Sequence, residues 1–560
     1  MSSNLNTDPT PPGNPTPIRN PAATSAAVLD SAHLGDIEGA FGTIRMNDDA
    51  PRPRMSARLR TLAAIVGPGL IVMVGDNDAG AFSTYGQAGQ NYGTRLLWTM
   101  LLLVPVLYVN QEMVLRLGAV AGVGHARLIL ERFGRFWGAF SVIDLFILNA
   151  LTIVTEFIGI SLGLGYLGIP KVPGVLAAAA VVLAAASTGS FRRFERVCMV
   201  LVAGSLLLVP IFVMTHPGLA QIGHDFVVPG MPHGAQLSTV MLLIIGIVGT
   251  TVAPWQLFFQ QSYIIDKRIT PRFMNYTKVD LWIGIVIVIV GAGAIIAFTS
   301  STFAGHTESG NFTDAAGIAH GLEKYVSKTA GVLFAVALVD ASIIGAAAVS
   351  LSTSYALGDV LGLKHSLHRR PSEAKAFYTV FAGLLLGAAV IVLIPGSPLG
   401  LLTEGVQTLA GVLLPSATVF LLLLCNDRDV LGPWVNSRRL NLFTSIVVAI
   451  LVMLSIVLTA SVLFPSINAT AIVLILTGGS VITVLTTIGL MLYRLIHPVV
   501  QTLPPLDRSL RPTWRMPPLA LLTRPNLSTT RRIGLSVLRT YLLIAMIMVI
   551  VRVVELALGK

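Results

Sequence analysis

Charge is what this chain has least of. Only 12% of its 560 residues are Asp, Glu, Lys or Arg, against about 25% in an ordinary soluble domain. With 54% hydrophobic residues and a mean hydropathy of +0.77, a water-soluble globular domain is excluded and a polytopic membrane protein is expected. Cysteine is almost missing as well. Cys198 and Cys425 both lie in or beside apolar segments, which argues against a disulfide framework or a cysteine metal site. No Walker A loop and no HExxH occurs, which argues against an ATP-driven pump and a zinc protease. No basic-then-apolar leader opens the chain, so a signal peptide is not expected. The formal charge of +11 does not imply nucleic acid, because the basic residues fall in short clusters between apolar runs, as membrane topology requires.

What is present is a series of about twelve apolar runs, each long enough to approach a bilayer's thickness. After an opening segment at 61–86 they cover 96–117, 136–164, 174–187, 197–214, 238–265, 281–300, 329–357, 376–394, 399–425, 442–464 and 469–492. Residues 533–558 are a weaker candidate, interrupted by Arg539, Arg552 and Glu555, which spans or lies in the interface. With the N-terminus in the cytoplasm, the basic loops 116–135, 192–196, 267–272, 364–375, 438–439 and 494–532 all fall inside. The opposite loops 215–237, 395–398 and 465–468 carry no Lys or Arg, whereas 301–328, with Lys324 and Lys328, departs from the pattern. That alternation orients the chain in the cell's inner (plasma) membrane.

One stretch is incompatible with a plain spanning helix. The apolar run 61–75 would reach only about 22 Å at the helical rise, short of the roughly 30 Å of hydrocarbon. Asp76, Asn77 and Asp78 follow it, then Ala79, Gly80 and Ala81. To cross, the chain must carry two carboxylates to mid-membrane depth, where charge and non-helical backbone persist only beside a partner or a wet cavity. A broken helix is expected, with Asp78 and freed carbonyls of 78–81 holding a cation. Five spans later the run 238–265 is interrupted in turn. Gly246, Gly249, Thr250 and Thr251 precede Pro254, which removes a donor and clashes with the preceding turn. Interrupted helices at matching positions of two five-span halves point to a transporter site between inverted repeats. A proline kink for packing alone is the bland alternative.

The ligands expected are therefore oxygens. Asp78 is the first choice, against the reading of a buried carboxylate bonded only to neighbouring backbone. Asp76 reaches the same ion only if the stretch is unwound, since residues two apart face opposite sides of a helix. Carbonyls of 250–253 and the Thr250 hydroxyl are further candidates, because hard cations want oxygen. Other polar groups at membrane depth are Glu112, Asp144, Glu156, Asp340, Glu404 and Gln407. Glu156 is a relay or support candidate and Gln407 carries a neutral amide oxygen, while interhelical pairing is the competing role. Gly159, Ser161 and Gly163 formally match a nucleophile elbow, but inside an apolar helix they read as small-residue packing. His216, His224 and His233 share one loop with Asp225 at irregular spacing and read as solvated residues rather than a metal centre.

Together these motifs resemble the NRAMP divalent-metal transporters. The likeness runs from Gly67-Pro68-Gly69 through Asp78-Ala79-Gly80, Tyr92-Gly93 and Leu96-Leu97-Trp98. It continues through 110–124, Glu156-Phe157-Ile158-Gly159, 249–262, 329–361, 407–415 and 426–432, so that it covers roughly residues 58–493. It implies a LeuT-type fold, two inverted five-helix repeats with broken first and sixth helices and two or three C-terminal helices, with metal held between the first and sixth spans. It departs in ways that matter. The family's Asp-Pro-Gly-Asn is here Asp78-Ala79-Gly80-Ala81, so the asparagine ligand is lost. Its Met-Pro-His is Ala253-Pro254-Trp255, so the thioether and a histidine linked with proton movement are gone. Glu156 matches the family glutamate, but the aspartate three residues earlier is Ile153. Gln407 aligns with the tenth-span ligand glutamine. A thioether favours softer metals, whereas Mg²⁺ keeps several waters beside one or two carboxylates. The pattern resembles the NRAMP-related magnesium transporters.

The expectation is an all-α carrier for divalent cations, Mg²⁺ preferred with Mn²⁺ second, not proton-coupled. Asp78, Ala81, Thr250, Ala253 and Gln407 lie at the metal, and Asp76, Glu156 and Trp255 play secondary roles. The rivals are a proton-coupled Mn²⁺/Fe²⁺ importer, a cation channel, and a membrane-embedded enzyme, which lacks any nucleophile–base constellation. No cofactor and no nucleic acid partner is expected, and the chain is read as a monomer or weak homo-oligomer in the lipid bilayer. Its parts are a disordered cytoplasmic tail (1–57), the two repeats (58–216 and 217–428), the eleventh and twelfth helices (429–498), a basic Pro-rich linker (499–532) and the last apolar segment (533–560).

Overall fold

The computed structural model describes residues 29–232, 234–396, 399–463, 469–496, 507–522, 534–544, 547 and 551. The first predicted span is three helices: α1 (Met55–Ile65), α2 (Pro68–Gly75) and α3 (Ala79–Tyr92). Then come α4 (Trp98–Ala121), the short α5 (His125–Phe133), α6 (Arg135–Tyr166), α7 (Lys171–Ala186), and α8 (Phe191–Gly204) continued by α9 (Leu208–Thr215). Beyond α10 (Leu219–Val227) the second half opens with α11 (Leu237–Thr251) and α12 (Pro254–Asp266). It continues through α13 (Met274–Phe303), α14 (Ala315–Tyr325), α15 (Lys328–Leu361), α16 (Lys375–Leu393) and α17 (Leu399–Cys425). The four-residue α18 (Arg428–Leu431), α19 (Arg438–Leu463) and α20 (Ala469–Ile496) complete the series. Among the described residues nine helices are long and apolar enough to cross a membrane, or ten with the bent pair α1–α2. Shorter apolar helices, Lys171–Ala186 and Thr470–Thr486, stand at two more predicted positions.

Interrupted elements α1–α3 and α11–α12 each open a set of five spans, and an odd number per half turns the second set upside down relative to the first. The halves meet through residues too small to hold helices apart. A methyl on Gly159 of α6 would come within 2.5 Å of the Ala79 Cβ, and one on Gly163 within 2.9 Å of the Ala335 carbonyl of α15. The Gly-x-Ser-x-Gly motif is thus a packing stripe between α6, α3 and α15. Gly69 of α2 and Gly284 of α13 allow a similar approach, a methyl on Gly69 falling 2.7 Å from the Leu281 Cα.

The N-terminal segment is not disordered throughout, as its composition suggested. Residues 1–28 lie outside the described residues, but 29–50 form a strap across the N-terminal face. Strand β1 (Ile37–Gly39) pairs antiparallel with β2 (Gly42–Ile44), burying Ile37, Ala40 and Ile44. The Ala40 N–H donates to Glu195 Oε2 at 2.6 Å, and Arg196 Nε donates to the Ala40 carbonyl at 3.0 Å. Arg268 binds the carbonyls of Ala32 and Asp36, each at 3.0 Å. Asp30 accepts from the His365 N–H at 2.9 Å and from the Arg369 guanidinium. The segment escapes disorder because its few apolar residues and acids meet cationic loop residues far away in sequence, a complementarity that composition does not register.

The predicted linker 499–532 is docked where it is described. Trp434 Nε1 donates to the Arg511 carbonyl at 2.9 Å and the Met516 N–H to that of Val120 at 3.2 Å. Of the last apolar segment, Gly534–Ile544 is a described helix whose Tyr541 hydroxyl reaches Thr459 of α19 at 3.2 Å.

Candidate metal site

The first span is broken twice, and each break is chemically satisfied. At Val66–Gly67 the chain turns by 50°, with Gly67 at φ +150, a conformation glycine adopts without strain. Asp280 of α13 accepts the N–H groups of Gly67, Gly69 and Leu70 at 3.1, 2.7 and 3.3 Å, so it caps α2 from another helix. Lys267, fully buried, donates to the carbonyls of Ile65 and Val66 at 2.8 Å and to Glu195 Oε1 at 2.7 Å. Sequence reading placed Lys267 in a basic cytoplasmic loop. The structure instead uses it to close the break, because the end of α12 packs against the chain entering α2.

The second break is the predicted one. Helix α2 ends at Gly75, residues 76–78 leave the helix, and Asp78 is the N-cap of α3. Its Oδ1 accepts the Ala81 N–H at 2.9 Å, while Glu156 Oε2 of α6 accepts the Ala79 N–H at 3.2 Å. In the sixth span α11 ends at Thr251, Val252 and Ala253 are extended, and Pro254 occupies the first turn of α12, where its missing donor costs nothing. The ends of α2 and α11 leave carbonyls without i+4 partners, the negative ends of two helix dipoles.

The expected carbonyl set needs correcting. Because Asp78 caps α3, its own carbonyl accepts from the Phe82 N–H at 2.9 Å and Ala79, Gly80 and Ala81 form the first helical turn. On the other side of the break, at the end of α2, the Met73 and Val74 carbonyls accept the N–H groups of Asp76 and Asn77 at 3.4 and 3.1 Å, outside the i+4 ladder. Ala81 contributes an N–H to Asp78 and a small side chain rather than an open oxygen. The Ala253 carbonyl accepts from the Gln256 N–H at 3.2 Å.

The remaining residues converge around Gly80. A methyl there would overlap the Gln407 side-chain amide and stand 3.2 Å from Asp78 Oδ1. Gln407 of α17 and Asp78 therefore flank one glycine. A methyl on Gly249, next to Thr250, would lie 2.5 Å from the Gln407 carbonyl, which brings α11 to the same point. Trp255 packs over Gly75, its ring 3.7 Å from a methyl placed there. Beneath, a methyl on Gly345 of α15 would be 2.7 Å from Glu156 Oε2 and 3.1 Å from the Asp78 Cβ. Around this gap the buried atoms Asp76 Oδ2, Glu156 Oε1, Thr250 Oγ1, Trp255 Nε1 and Gln407 Nε2 lack a protein partner. Such orphans mark a place for water or an ion. The opposite orientation of the Gln407 amide presents its oxygen at that point. Among the described residues no three His, Cys, Asp or Glu side chains form a metal-ligating group.

Sequence reasoning missed the partners of Asp76. Gln256 Nε2 donates to Asp76 Oδ1, and Gln111 Nε2 of α4 donates to Gln256 Oε1 at 2.8 Å. Tyr85 of α3 and Thr251 of α11 share a hydrogen bond of 2.7 Å, tying the two broken spans together. The available signal was Gln256, Gln260 and Gln261, three glutamines in one apolar span and all fully buried. Elsewhere Glu112 pairs with Arg116 and Lys278 at 3.1 and 2.9 Å, and Asp144 lines a gap of about 10 Å³ with Ser416 and Pro254. The Glu404 side chain and His233 lie outside the described residues.

Interrupted first and sixth spans, set in a single-chain bundle of two inverted halves, define a secondary-transporter architecture. The comparisons then supply the family. The model of the natural resistance-associated macrophage protein-like (Nramp) family matches residues 69–461. The chain belongs to this family of divalent metal cation transporters, in which the metal is substrate and no cofactor is needed. Its fold is of the LeuT type. A divalent metal cation transporter, MntH, from Burkholderia ambifaria is 26% identical over 424 residues, covering 72% of this chain and 91% of its own. Two solved variants of the manganese transporter of Eremococcus coleocola superpose with TM-scores of 0.60 and 0.61 at 20% identity, covering 80% of this chain and 98% of theirs.

Proposed function

We propose that this transporter takes up a partly hydrated divalent cation, Mg²⁺ by preference, by alternating access and without proton coupling. The observation that carries the reading is the make-up of the two breaks. Residues 76–78 and 252–253 contain no Met, Cys or His, and the buried oxygens Asp76 Oδ2 and Thr250 Oγ1 beside them have no protein partner. Asp78 binds the ion, and Thr250 and Gln407 contribute oxygen or hold its waters. The carbonyl ends of α2 and α11 and the second carboxylate of Asp76 add negative field. Ala81 and Ala253 leave room for a hydration shell that Mg²⁺ sheds reluctantly, and the sulfur that would favour softer metals is missing. Glu156 supports α3 from behind, and Trp255 stands where a proton-handling histidine would be needed. The alternating basic loops support a cytoplasmic N-terminus in an inner membrane, where the membrane potential favours entry.

A second reading, Mn²⁺ import, is favoured by the Eremococcus coleocola structures, which are named as those of a manganese transporter. Uptake by proteoliposomes of Mg²⁺, Mn²⁺ and Ca²⁺, with internal pH recorded, separates the two. Saturable Mg²⁺ uptake without acidification is expected. Mn²⁺ uptake indifferent to excess Mg²⁺ and accompanied by acidification would overturn the proposal.

A further inference from the structure

On the N-terminal face, away from the cargo site, a cavity of about 440 Å³ opens between the entry to α1 and the first turns of α13, within the roughly 300–1,000 Å³ of ligand pockets. Arg52, Arg58 and Arg272 line it together with Phe273, Tyr276 and Val279, and no acidic side chain does. Two of the arginines are held in place. The Arg52 and Arg272 guanidiniums lie 5.2 and 5.8 Å from the centre of the Phe273 ring, and Arg52 Nε donates to Thr61 Oγ1 at 2.8 Å. From outside the cavity Asp48 accepts from Arg52 at 2.8 Å, and Asp49, whose side chain is 92% exposed, pairs with Arg272. Arg58 bonds only through Nε, to the Arg52 carbonyl at 3.0 Å, so its terminal nitrogens have no protein partner among the described residues. Asp48 and Asp49 offset two of these charges and Arg58 has no such partner, so the hollow keeps a net positive charge, and planar guanidiniums match the bidentate geometry of phosphate.

The surroundings choose which phosphate. Helix α13 carries Val279, Trp282, Ile283, Val286 and Val290 exposed along one line away from the cavity, inside a span of mean hydropathy 2.8. Trp282 stacks on Tyr108 at 4.7 Å, as aromatic residues do at a membrane interface. The hollow thus sits where an apolar, outward-facing ridge begins. A soluble anion would use the arginines and leave the ridge idle. An amphiphile would use both.

We propose that this cavity binds the phosphate headgroup of an anionic phospholipid, with its acyl chains along the Val279–Val290 face of α13. The occupant is a lipid of the leaflet on the N-terminal side, the one that carries anionic lipid if that face is cytoplasmic.

The test is native mass spectrometry of the full-length protein from nanodiscs of phosphatidylcholine doped with phosphatidylglycerol. Phosphatidylglycerol is expected to be retained over phosphatidylcholine. Arg58→Gln, an exposed substitution that leaves the fold unaffected, should weaken that retention about fivefold, the effect of one basic residue at an anionic surface. Asp49→Asn, which frees Arg272, should strengthen it. Equal phosphatidylglycerol retention by wild type and Arg58→Gln would overturn the proposal. So would inorganic phosphate binding the detergent-solubilised protein as tightly as phosphatidylglycerol, since the site would then serve a soluble anion.

Discussion

Replacing Gly80 with alanine tests whether Gln407 reaches the ion. The added methyl would overlap the Gln407 amide and stand 3.2 Å from Asp78 Oδ1. The amide is the far end of a flexible side chain, so it can swing away at roughly 0.5–1.5 kcal/mol of rotamer strain. Alanine in a helix is favoured over glycine by roughly 0.5–1 kcal/mol. The two nearly cancel, and thermal unfolding of Gly80→Ala should lie close to wild type. The cargo site, however, loses a polar group. A hydrogen bond to a charged partner contributes about 1.5–3 kcal/mol, so the apparent KM for Mg²⁺ in proteoliposomes should rise about 10- to 100-fold. Gly249→Ala is the contrasting case. Its methyl would meet the Gln407 carbonyl at 2.5 Å and the Gly411 amide nitrogen at 2.6 Å, both backbone, so α11 and α17 must separate. Overpacking of this kind costs about 1–3 kcal/mol and should appear as lost stability. A Gly80→Ala variant with wild-type KM, or one that unfolds as readily as Gly249→Ala, would refute the placement of Gln407.

Asp78→Ala should abolish uptake while the protein still purifies folded; undiminished transport would remove Asp78 from its role. Ala253→Met should shift the ratio of Mn²⁺ to Mg²⁺ uptake toward Mn²⁺, and an unchanged ratio would count against the sulfur argument. Lys267→Met should destabilise by about 3–5 kcal/mol, since it strands the buried Glu195 carboxylate, and pairing it with Glu195→Gln should recover part of the loss; strictly additive effects in that cycle would disprove the coupling. Burial works against charge on His365, but Asp359, the Leu363 carbonyl and Asp30 outweigh it and raise its pKa to about 9. The attraction of the charged imidazole for Asp359 and, through space, for Asp30 of the strap is thus fully present below the ordinary histidine value of about 6.5 and weakens as pH rises through about 9. Limited proteolysis near Arg45 should accelerate over that interval in wild type and not in His365→Gln, and equal profiles would exclude His365 as the anchor.

The positions of both breaks were legible in the chain itself, and each apolar run that the structure describes is a helix, although two of the expected spans, Lys171–Ala186 and Thr470–Thr486, are shorter than a membrane crossing. Hydrocarbon imposes a length on every apolar run and a penalty on every bare peptide group, so an early stop at Gly75 and a proline at 254 already announce where helices come apart. The same reasoning singles out Asp78, because a carboxylate at that depth needs a cation or a partner, and the structure sets it at the break as the cap of α3. Which oxygens are free did not follow. Asp78 caps α3 and thereby ties up the carbonyls expected to face the ion, an outcome set by backbone geometry at one residue.

Other features depend on residues far apart in sequence. Asp76 meets Gln256 across 180 positions, Lys267 closes the Val66 break across 201, and Asp30 anchors the strap at His365 across 335. Local periodicity carries no record of such pairings, and composition read the strap as disorder. The chain by itself determined where apolar helices form and where two of them must open, since bilayer thickness and peptide desolvation act on each segment separately. Only the packed structure decided which groups fill those openings, because a buried polar atom is satisfied by whatever neighbour the whole fold brings to it.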